Sequence, residues 1–285
     1  MDGAGQGHHA MSAPLTSNTA HARWDMPVLV KVSLGVHAAA ALAVLAVPAW
    51  WPWALAALVL NHVLLATVGL LPRTHWLGAN WTRLPAAAAA RGEIALTIDD
   101  GPDPVVTPAV LDLLDRHGAK ATFFCVGRQA ALYPEICRDI VRRGHRIENH
   151  SQQHRHNFSL LGPGGFRREL EAAQTTLTAI TGDRPQFFRA PAGLRNPFLD
   201  PALQRSGLRL ASWTRRAYDT RVGNPATVLR KLCSSLRAGD ILLLHDRHAA
   251  LTPNGLPVIL EVLPPLLQAI AQAGLRPVTL REALT

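Results

Sequence analysis

Two adjacent carboxylates, Asp99 and Asp100, close an apolar run in Thr97-Ile-Asp-Asp-Gly-Pro102, where Gly101 and Pro102 force the chain to turn. Neighbouring side chains diverge on a strand, so the two acids can take different tasks. Further on, His150-Ser-Gln-Gln-His154 spaces two imidazoles four residues apart. On one helical turn that spacing aims both rings at a single point, as a divalent metal site requires. A carboxylate from Asp99 or Asp100 would complete a set of two histidines and one acid, with positions left open for water and substrate. Three more pieces follow in order: Arg189-Ala-Pro-Ala-Gly193, Trp213 with Asp219, and Leu242-Leu-Leu-His245-Asp246 ending another apolar run. Taken singly, Arg189 reads as a surface charge, Asp219 as a loop cap and His245 as a core histidine. Together in one domain, each where a strand ends, these groups instead indicate a metal site surrounded by acid–base residues.

Such groups must be carried by elements that end at one place. Strands are predicted over 93–99, 121–126, 146–149, 187–189, 208–213, 240–245 and 276–279. Helices are predicted between them over 108–117, 133–143, 166–181, 200–206, 225–236 and 256–273, with Gly182 ending the third. This βα alternation predicts a parallel sheet, open or closed as a barrel, with the chemistry at the C-terminal ends of the strands. No internal repeat or heptad interrupts the pattern.

Over roughly residues 93 to 282 these ordered motifs resemble the polysaccharide deacetylases of the NodB homology family, also called carbohydrate esterase family 4. The resemblance implies an α/β fold, an irregular (β/α) barrel, and hydrolytic removal of an N-acetyl or other N-acyl group from an amino sugar. Thr97 to Pro102 resembles the first family motif, which makes Asp99 the catalytic base and Asp100 a metal ligand. His150 and His154 match the two histidine ligands of the second motif, with Ser151 beside them. Arg189 and Pro191 match the third, whose arginine holds and tunes the base. Asp219 falls at the acid of the fourth, which supports the catalytic histidine. Leu243 and His245 match the fifth, a leucine of the acetyl pocket followed by the proton donor. Zn2+ is the expected cofactor, and Co2+ or another transition metal suits the same ligand types. The backbone N–H of Ala192 would serve as a donor to the oxyanion. Three positions depart from the family pattern: Ala192 replaces an aromatic residue, Thr220 a tryptophan, and Arg216 a common acid. All three strip or recharge the substrate groove and leave the metal, base and acid positions intact.

The N-terminal third has a different character, and it raises the hydrophobic fraction of the 285-residue chain to 48%. Residues 1–25 have no apolar periodicity and are predicted to be disordered, His8 and His9 being idle there. Residues 26–72 hold two apolar runs, Val28 to Val47 and Trp53 to Leu71, each near the ~20 residues that span a bilayer as a helix. A transmembrane helical hairpin is expected, with Trp50, Trp51 and Trp53 at one interface and Trp24, Trp76 and Trp81 at the other. Lys31, His37, Asn61 and His62 are expected near an interface or the helix contact. Residues 73–92 are expected to be a linker and 93–285 the catalytic domain.

The turn Pro48 to Pro52 has no Lys or Arg, whereas Arg23 and Lys31 flank the first helix and Arg73, Arg83 and Arg91 follow the second. By the positive-inside rule this places the protein in a bacterial-type inner membrane as a multi-pass protein with its catalytic domain on the cytoplasmic side. Membrane lipid is therefore an expected partner. The formal charge of +9 comes from scattered arginines without interleaved aromatics, so nucleic acid is not expected. Three cysteines without CxxC spacing indicate neither a disulfide framework nor a zinc ribbon. The expected substrate is an N-acetylated amino sugar in a polysaccharide or glycoconjugate. One alternative is deacetylation or deformylation of a lipid-linked amino sugar at the cytoplasmic face. The other is an inactive membrane-bound glycan-binding protein, against which Asp99, Asp100, His150, His154 and His245 argue, because a binding module has no use for a proton donor opposite a metal.

Overall fold

The computed structural model describes residues 24–285, so the stretch predicted to be disordered lies outside the described residues except for Trp24 and Asp25. Two helices come first: α1 (Val28–Ala46) and α2 (Trp51–Gly69), joined by a 3-10 turn at Pro48–Trp50. Their contact is made partly by polar groups. Asn61 donates to the Ser33 hydroxyl at 2.8 Å, and the His37 and His62 rings meet edge-on at 5.2 Å. Such pairings hold apolar helices together where burial alone gives no preference. Lys31 pairs with Asp25 at 2.9 Å instead. Outward-facing side chains such as Leu45, Trp53 and Leu60 are exposed, and the segments Val28–Ala46 and Pro48–Gly69 (the second including the 3-10 turn) have mean hydropathies of 2.0 and 1.6. That length and composition suffice to cross a bilayer.

The rest of the chain alternates strands and helices. In order these are α3 (Ala86–Ala90), β1 (Glu93–Asp99), α4 (Val106–Arg116), β2 (Thr122–Cys125), α5 (Gly127–Leu132), α6 (Pro134–Arg142), β3 (Arg146–Asn149) and α7 (Pro163–Thr181). Next come β4 (Phe187–Phe188), α8 (Leu199–Ser206), β5 (Arg209–Leu210), β6 (Arg215–Arg216), α9 (Pro225–Cys233), β7 (Ile241–His245), α10 (Val258–Gln272) and β8 (Arg276–Val278). Every ladder is parallel, in the order β5-β4-β3-β2-β1-β7-β6, with β8 paired to the start of β1. The central strands β1 and β7 are buried along their whole length, as strands covered on both faces must be. Alternation sends Ile94, Leu96 and Ile98 into the core with α4 and α10, while Ala95 joins Phe124, Phe187 and Ile241 on the concave face. Thr97 and Asp99 therefore point to the concave side as well.

The expected barrel is a curled half-barrel: among the described residues no ladder joins β5 to β6. Both edge strands are only two residues long, and the gap beside them is filled by residues 72–84, which apart from Pro72 lie in the stretch expected as a linker. The Trp81 N–H donates to the Leu210 carbonyl and the Ser212 N–H to the Trp81 carbonyl, both at 2.8 Å. Leu84 N–H reaches the Gly239 carbonyl at 2.9 Å, and Leu77 and Leu84 are buried. This strap stands in for a missing strand, and Trp81 packs edge-on against Phe187 at 5.1 Å. The expectation that Trp81 belongs to an interfacial aromatic belt is corrected accordingly: its ring serves the wall of the domain. Sequence reading also missed α3, α5 and β6, which are too short to show a period.

The helix pair is anchored beside the future site. Trp24 Nε1 donates to Asp200 at 2.7 Å, Arg195 N–H to the Gly69 carbonyl at 3.1 Å, and the Ser212 hydroxyl to the Pro72 carbonyl at 2.7 Å. Both free ends of the hairpin thus meet the domain, and its tryptophan-bearing turn points away.

Candidate active site

Parallel register sets the strand ends level. Asp99 lies beside Phe124 of β2 and His245 of β7, Cys125 beside Asn149, and Asn149 beside Phe188. The next residues, Asp100, His150 and Arg189, therefore leave the sheet at one end, where strand C-termini gather ligands in folds of this class. Together they border a cleft of about 260 Å³ whose walls include His154, Ala192, Trp213, Leu243 and His245.

On one side of the cleft, Arg189 is almost wholly buried and spends its guanidinium on four acceptors. It donates to Asp99 Oδ1 at 2.7 Å, the Thr97 hydroxyl at 2.8 Å, and the carbonyls of Ser212 at 2.7 Å and Ala211 at 3.1 Å. Burial pulls this guanidinium down from its ordinary value, and the Asp99 carboxylate opposes the shift. Asp99 is thereby fixed through one oxygen, leaving Oδ2 directed toward His150 Nε2 at 3.9 Å.

Asp100, His150 and His154 present ligand atoms that all lie within 4.8 Å of one another. Asp100 Oδ1 is 3.2 Å from His150 Nε2 and 3.1 Å from His154 Nε2. The tautomer of His150 follows from its other nitrogen. Nδ1 lies 2.8 Å from the Arg189 carbonyl, which can only accept, so Nδ1 carries a proton and Nε2 is the nitrogen left to face Asp100 or a cation. Burial pushes the Asp100 carboxyl up, but the imidazoles of His150, His154 and His248 outweigh it and hold the group well below the usual carboxylate range. One carboxylate and two imidazoles, one of them oriented by an outer hydrogen bond, form a donor set suited to a divalent cation.

The helical turn expected to carry the two histidines is absent. Residues 150–154 form a loop in which Asn149 Oδ1 accepts the Ser151 N–H at 2.9 Å and the Ser151 hydroxyl accepts the His154 N–H at 3.0 Å. These side-chain bonds replace helical ones, and positive φ at Ser151 (64°) and His154 (50°) folds the chain back, bringing the rings to 4.8 Å. Asp100 (φ 78°) and Ala192 (φ 55°) share this left-handed backbone. Strained non-glycine residues gathered at one cleft are what a site held in place by its surroundings requires.

On the strand next to Asp99, His245 Nδ1 is 2.9 Å from Asp219 Oδ1, and Asp219 Oδ2 accepts the His245 backbone N–H at 2.7 Å. Burial would lower this imidazole, but the Asp219 carboxylate, helped by Asp99 and Asp100, pushes it up to about 9. It is thus an imidazolium at neutral pH, with Nδ1–H held by Asp219 and Nε2–H left for the cleft. Leu243, buried and in register with Thr97, lies in the same wall. Pro191 is buried and Ala192 exposed in the turn after Arg189. The ten residues singled out in the sequence therefore fall around a single cleft or directly behind its wall.

Other residues matter that sequence reasoning gave no role. The Thr97 hydroxyl donates to the Leu242 carbonyl at 2.7 Å while receiving Arg189, which ties β1 to β7 beneath Asp99. His248 Nδ1 stands 3.5 Å from Asp100 Oδ2. Asp246, fully buried, receives the Thr107 hydroxyl and the Arg247 N–H, and burial raises it to about 7. It packs where a side chain on Gly101 would sit, 2.6 Å from its Oδ1. The nearness of Asp246 and His248 to His245 in sequence was the only signal for these last two.

The sequence model of the polysaccharide deacetylase family matches residues 87–211. A chitooligosaccharide deacetylase of Azorhizobium caulinodans is 36% identical over 157 residues, 55% of this chain and 74% of the relative. A peptidoglycan-N-acetylglucosamine deacetylase of Bacillus cereus is 29% identical over 216 residues, 73% of this chain and 75% of the relative. Among solved structures, a peptidoglycan N-acetylglucosamine deacetylase in complex with 4-naphthalen-1-yl-N-oxidanyl-benzamide superposes with a TM-score of 0.64 at 26% identity. That likeness covers 72% of this chain and 92% of the other.

Proposed function

We propose, from the premise that this chain belongs to the polysaccharide deacetylase family and is a hydrolase of the amide bond in N-acetylated sugars, that it deacetylates an amino sugar presented at a membrane surface. The observation that carries this reading is the placement of Asp99, held by Arg189, and His245, held by Asp219, at neighbouring strand ends of one cleft that Asp100, His150 and His154 also line.

In this reading Asp100, His150 and His154 hold a divalent cation, Zn2+ by ligand type, with Co2+ or another transition metal also accommodated. When bound, the cation supplies Lewis-acid chemistry, polarising the amide carbonyl and acidifying water. Asp99, steadied through Oδ1, takes a proton from the attacking water on Oδ2. As the water oxygen adds to the carbonyl carbon, the Ala192 N–H donates to the oxygen that becomes negative. An amine leaves poorly unless protonated, so His245 gives its Nε2 proton to the amide nitrogen as the C–N bond breaks. Acetate and the free amino sugar result, and Leu243 borders the space the methyl group occupies.

The helix pair is read as a transmembrane hairpin, supported by its length, hydropathy and exposed apolar faces. The charge bias puts the domain on the cytoplasmic side. The units are then a hairpin over 26–72, a connecting strap over 73–92 and a catalytic domain over 93–285. An acetate-release assay tests the activity, using metal-loaded protein with N-acetylated chito-oligosaccharide, peptidoglycan and N-acetylglucosamine 1-phosphate. Release should stop on chelation and be inhibited by 4-naphthalen-1-yl-N-oxidanyl-benzamide, the ligand of the structural relative named above. No acetate from any of the three would overturn the reading.

A further inference from the structure

A second cavity, about 520 Å³, adjoins the catalytic cleft and shares Trp213 and Arg216 with it. Its lining includes Arg73, Arg215, Arg216 and Lys231 and contains no acidic residue. Arg215 is already engaged by Asp240 at 2.7 Å and by the carbonyls of Ser234 and Ser235. The other three cations are not so occupied. Among the described residues Arg73 donates only to the Thr214 carbonyl, at 3.1 Å. Arg216 Nε is buried with no protein hydrogen-bond partner among the described residues. The Arg216 and Lys231 cationic groups stand 5.0 and 5.4 Å from the centroid of the same Tyr218 ring, which props both beside the cavity. Tyr218 itself holds a positive φ of 60°.

Several cations converging on a space without a carboxylate form a receptor for an anion, and guanidinium and ammonium groups together match the oxygens of a phosphate. The location narrows the choice. Arg73 comes just after α2, and Pro72 both lines the cavity and meets the site: a Cβ on Gly193 would touch Pro72 at 2.7 Å. The cavity therefore lies between the end of the apolar helix pair and the catalytic cleft.

Resting on the deacetylase reading, we infer that this cavity binds the phosphate of a glycosyl phosphate or diphosphate whose N-acetylated sugar occupies the cleft, the lipid-linked form being its physiological source. The phosphate sits at the membrane-proximal end, where the headgroup of a prenyl carrier reaches, and the sugar extends past Trp213 and Arg216 to Asp99 and His245. The basic residue at position 216 then has a purpose, since it turns the groove from a neutral sugar channel toward an anionic substrate.

Binding and turnover are measured on the full-length, metal-loaded protein and on Arg73→Gln/Lys231→Gln, both positions being exposed and outside the cleft. The probes are N-acetylglucosamine 1-phosphate, uridine diphosphate N-acetylglucosamine, prenyl diphosphate N-acetylglucosamine in nanodiscs, and uncharged chitotetraose. Phosphorus NMR titration follows binding independently of acetate release. Removing two charged contacts should weaken binding of N-acetylglucosamine 1-phosphate by about tenfold or more, raise KM for the nanodisc substrate similarly, and leave chitotetraose turnover unchanged. A greater kcat/KM for the nanodisc substrate than for the uridine diphosphate sugar supports the lipid source, and the reverse order overturns it. Equal binding of N-acetylglucosamine 1-phosphate by both proteins, or equal losses on every substrate, overturns the phosphate site. Phosphate binding lost in the variant, with no acetate released from any substrate by either protein, sustains the site and overturns the deacetylase reading instead.

Discussion

Replacing Asp219 by asparagine removes one charge and one of the two acceptors that hold His245, while nearly preserving side-chain shape. Asp219 is the main influence holding His245 up at about 9 against burial, which acts in the opposite direction. Without the carboxylate, burial is opposed only by the more distant Asp99 and Asp100, and the ring falls toward its ordinary 6.5. At pH 8 a group titrating near 9 is roughly 90% protonated and one at 6.5 roughly 3%, so kcat/KM should fall about 30-fold if His245 is the acid. The loss should shrink toward pH 6, where both forms hold the proton. A pH profile of acetate release, recorded at saturating metal, should show the alkaline limb moving from near 9 toward neutral pH. A uniform loss at all pH values, with the alkaline limb unmoved, would refute the reasoning. The same shift has a stability consequence. Because the folded state raises the imidazole from 6.5 to about 9, its contribution of roughly 3 kcal/mol is fully present below 6.5 and lost as pH rises through about 9. The thermal midpoint of the native protein should therefore decline across that window, and that of Asp219→Asn should decline less.

Asp99→Asn should lower turnover by orders of magnitude and keep its metal, because Asn still accepts from Arg189 but cannot take a proton. Asp100→Ala should lose metal by elemental mass spectrometry and recover part of its activity at high metal concentration; metal lost in the first variant and kept in the second would reverse the two roles. Gly101→Ala should destabilise by about 1–3 kcal/mol in denaturant melts, because its Cβ would stand 2.6 Å from Asp246 Oδ1 in a packed wall. An unchanged midpoint would mean that Asp246 yields without cost.

The sequence by itself determined the chemistry-bearing residues and the alternation that carries them. Buried parallel strands such as Glu93–Asp99 and Ile241–His245 read as continuous apolar runs, and the polar residues at their ends stand out against them. Gly182 ends its helix with φ 71°, as its position predicts, because the left-handed turn costs least at glycine. The apolar lengths of α1 and α2 are equally plain, since local composition is all that such helices need. What only the tertiary structure decided depends on contacts between residues far apart in the chain. The proton position on His150 is set by the Arg189 carbonyl, 39 residues away, and the grip on Asp99 comes from a guanidinium 90 residues away. The loop that converges His150 and His154 arises from Asn149 and Ser151 side chains outcompeting a helix, a local contest that spacing alone cannot resolve. Residues 72–84 looked like a connector because they lack periodicity, yet they fill the open wall by bonding to Leu210, Ser212 and Gly239. The basic cavity was invisible for the same reason: Arg73, Arg216 and Lys231 are scattered along the chain, and folding sets them around one space without bringing an acid to neutralise them.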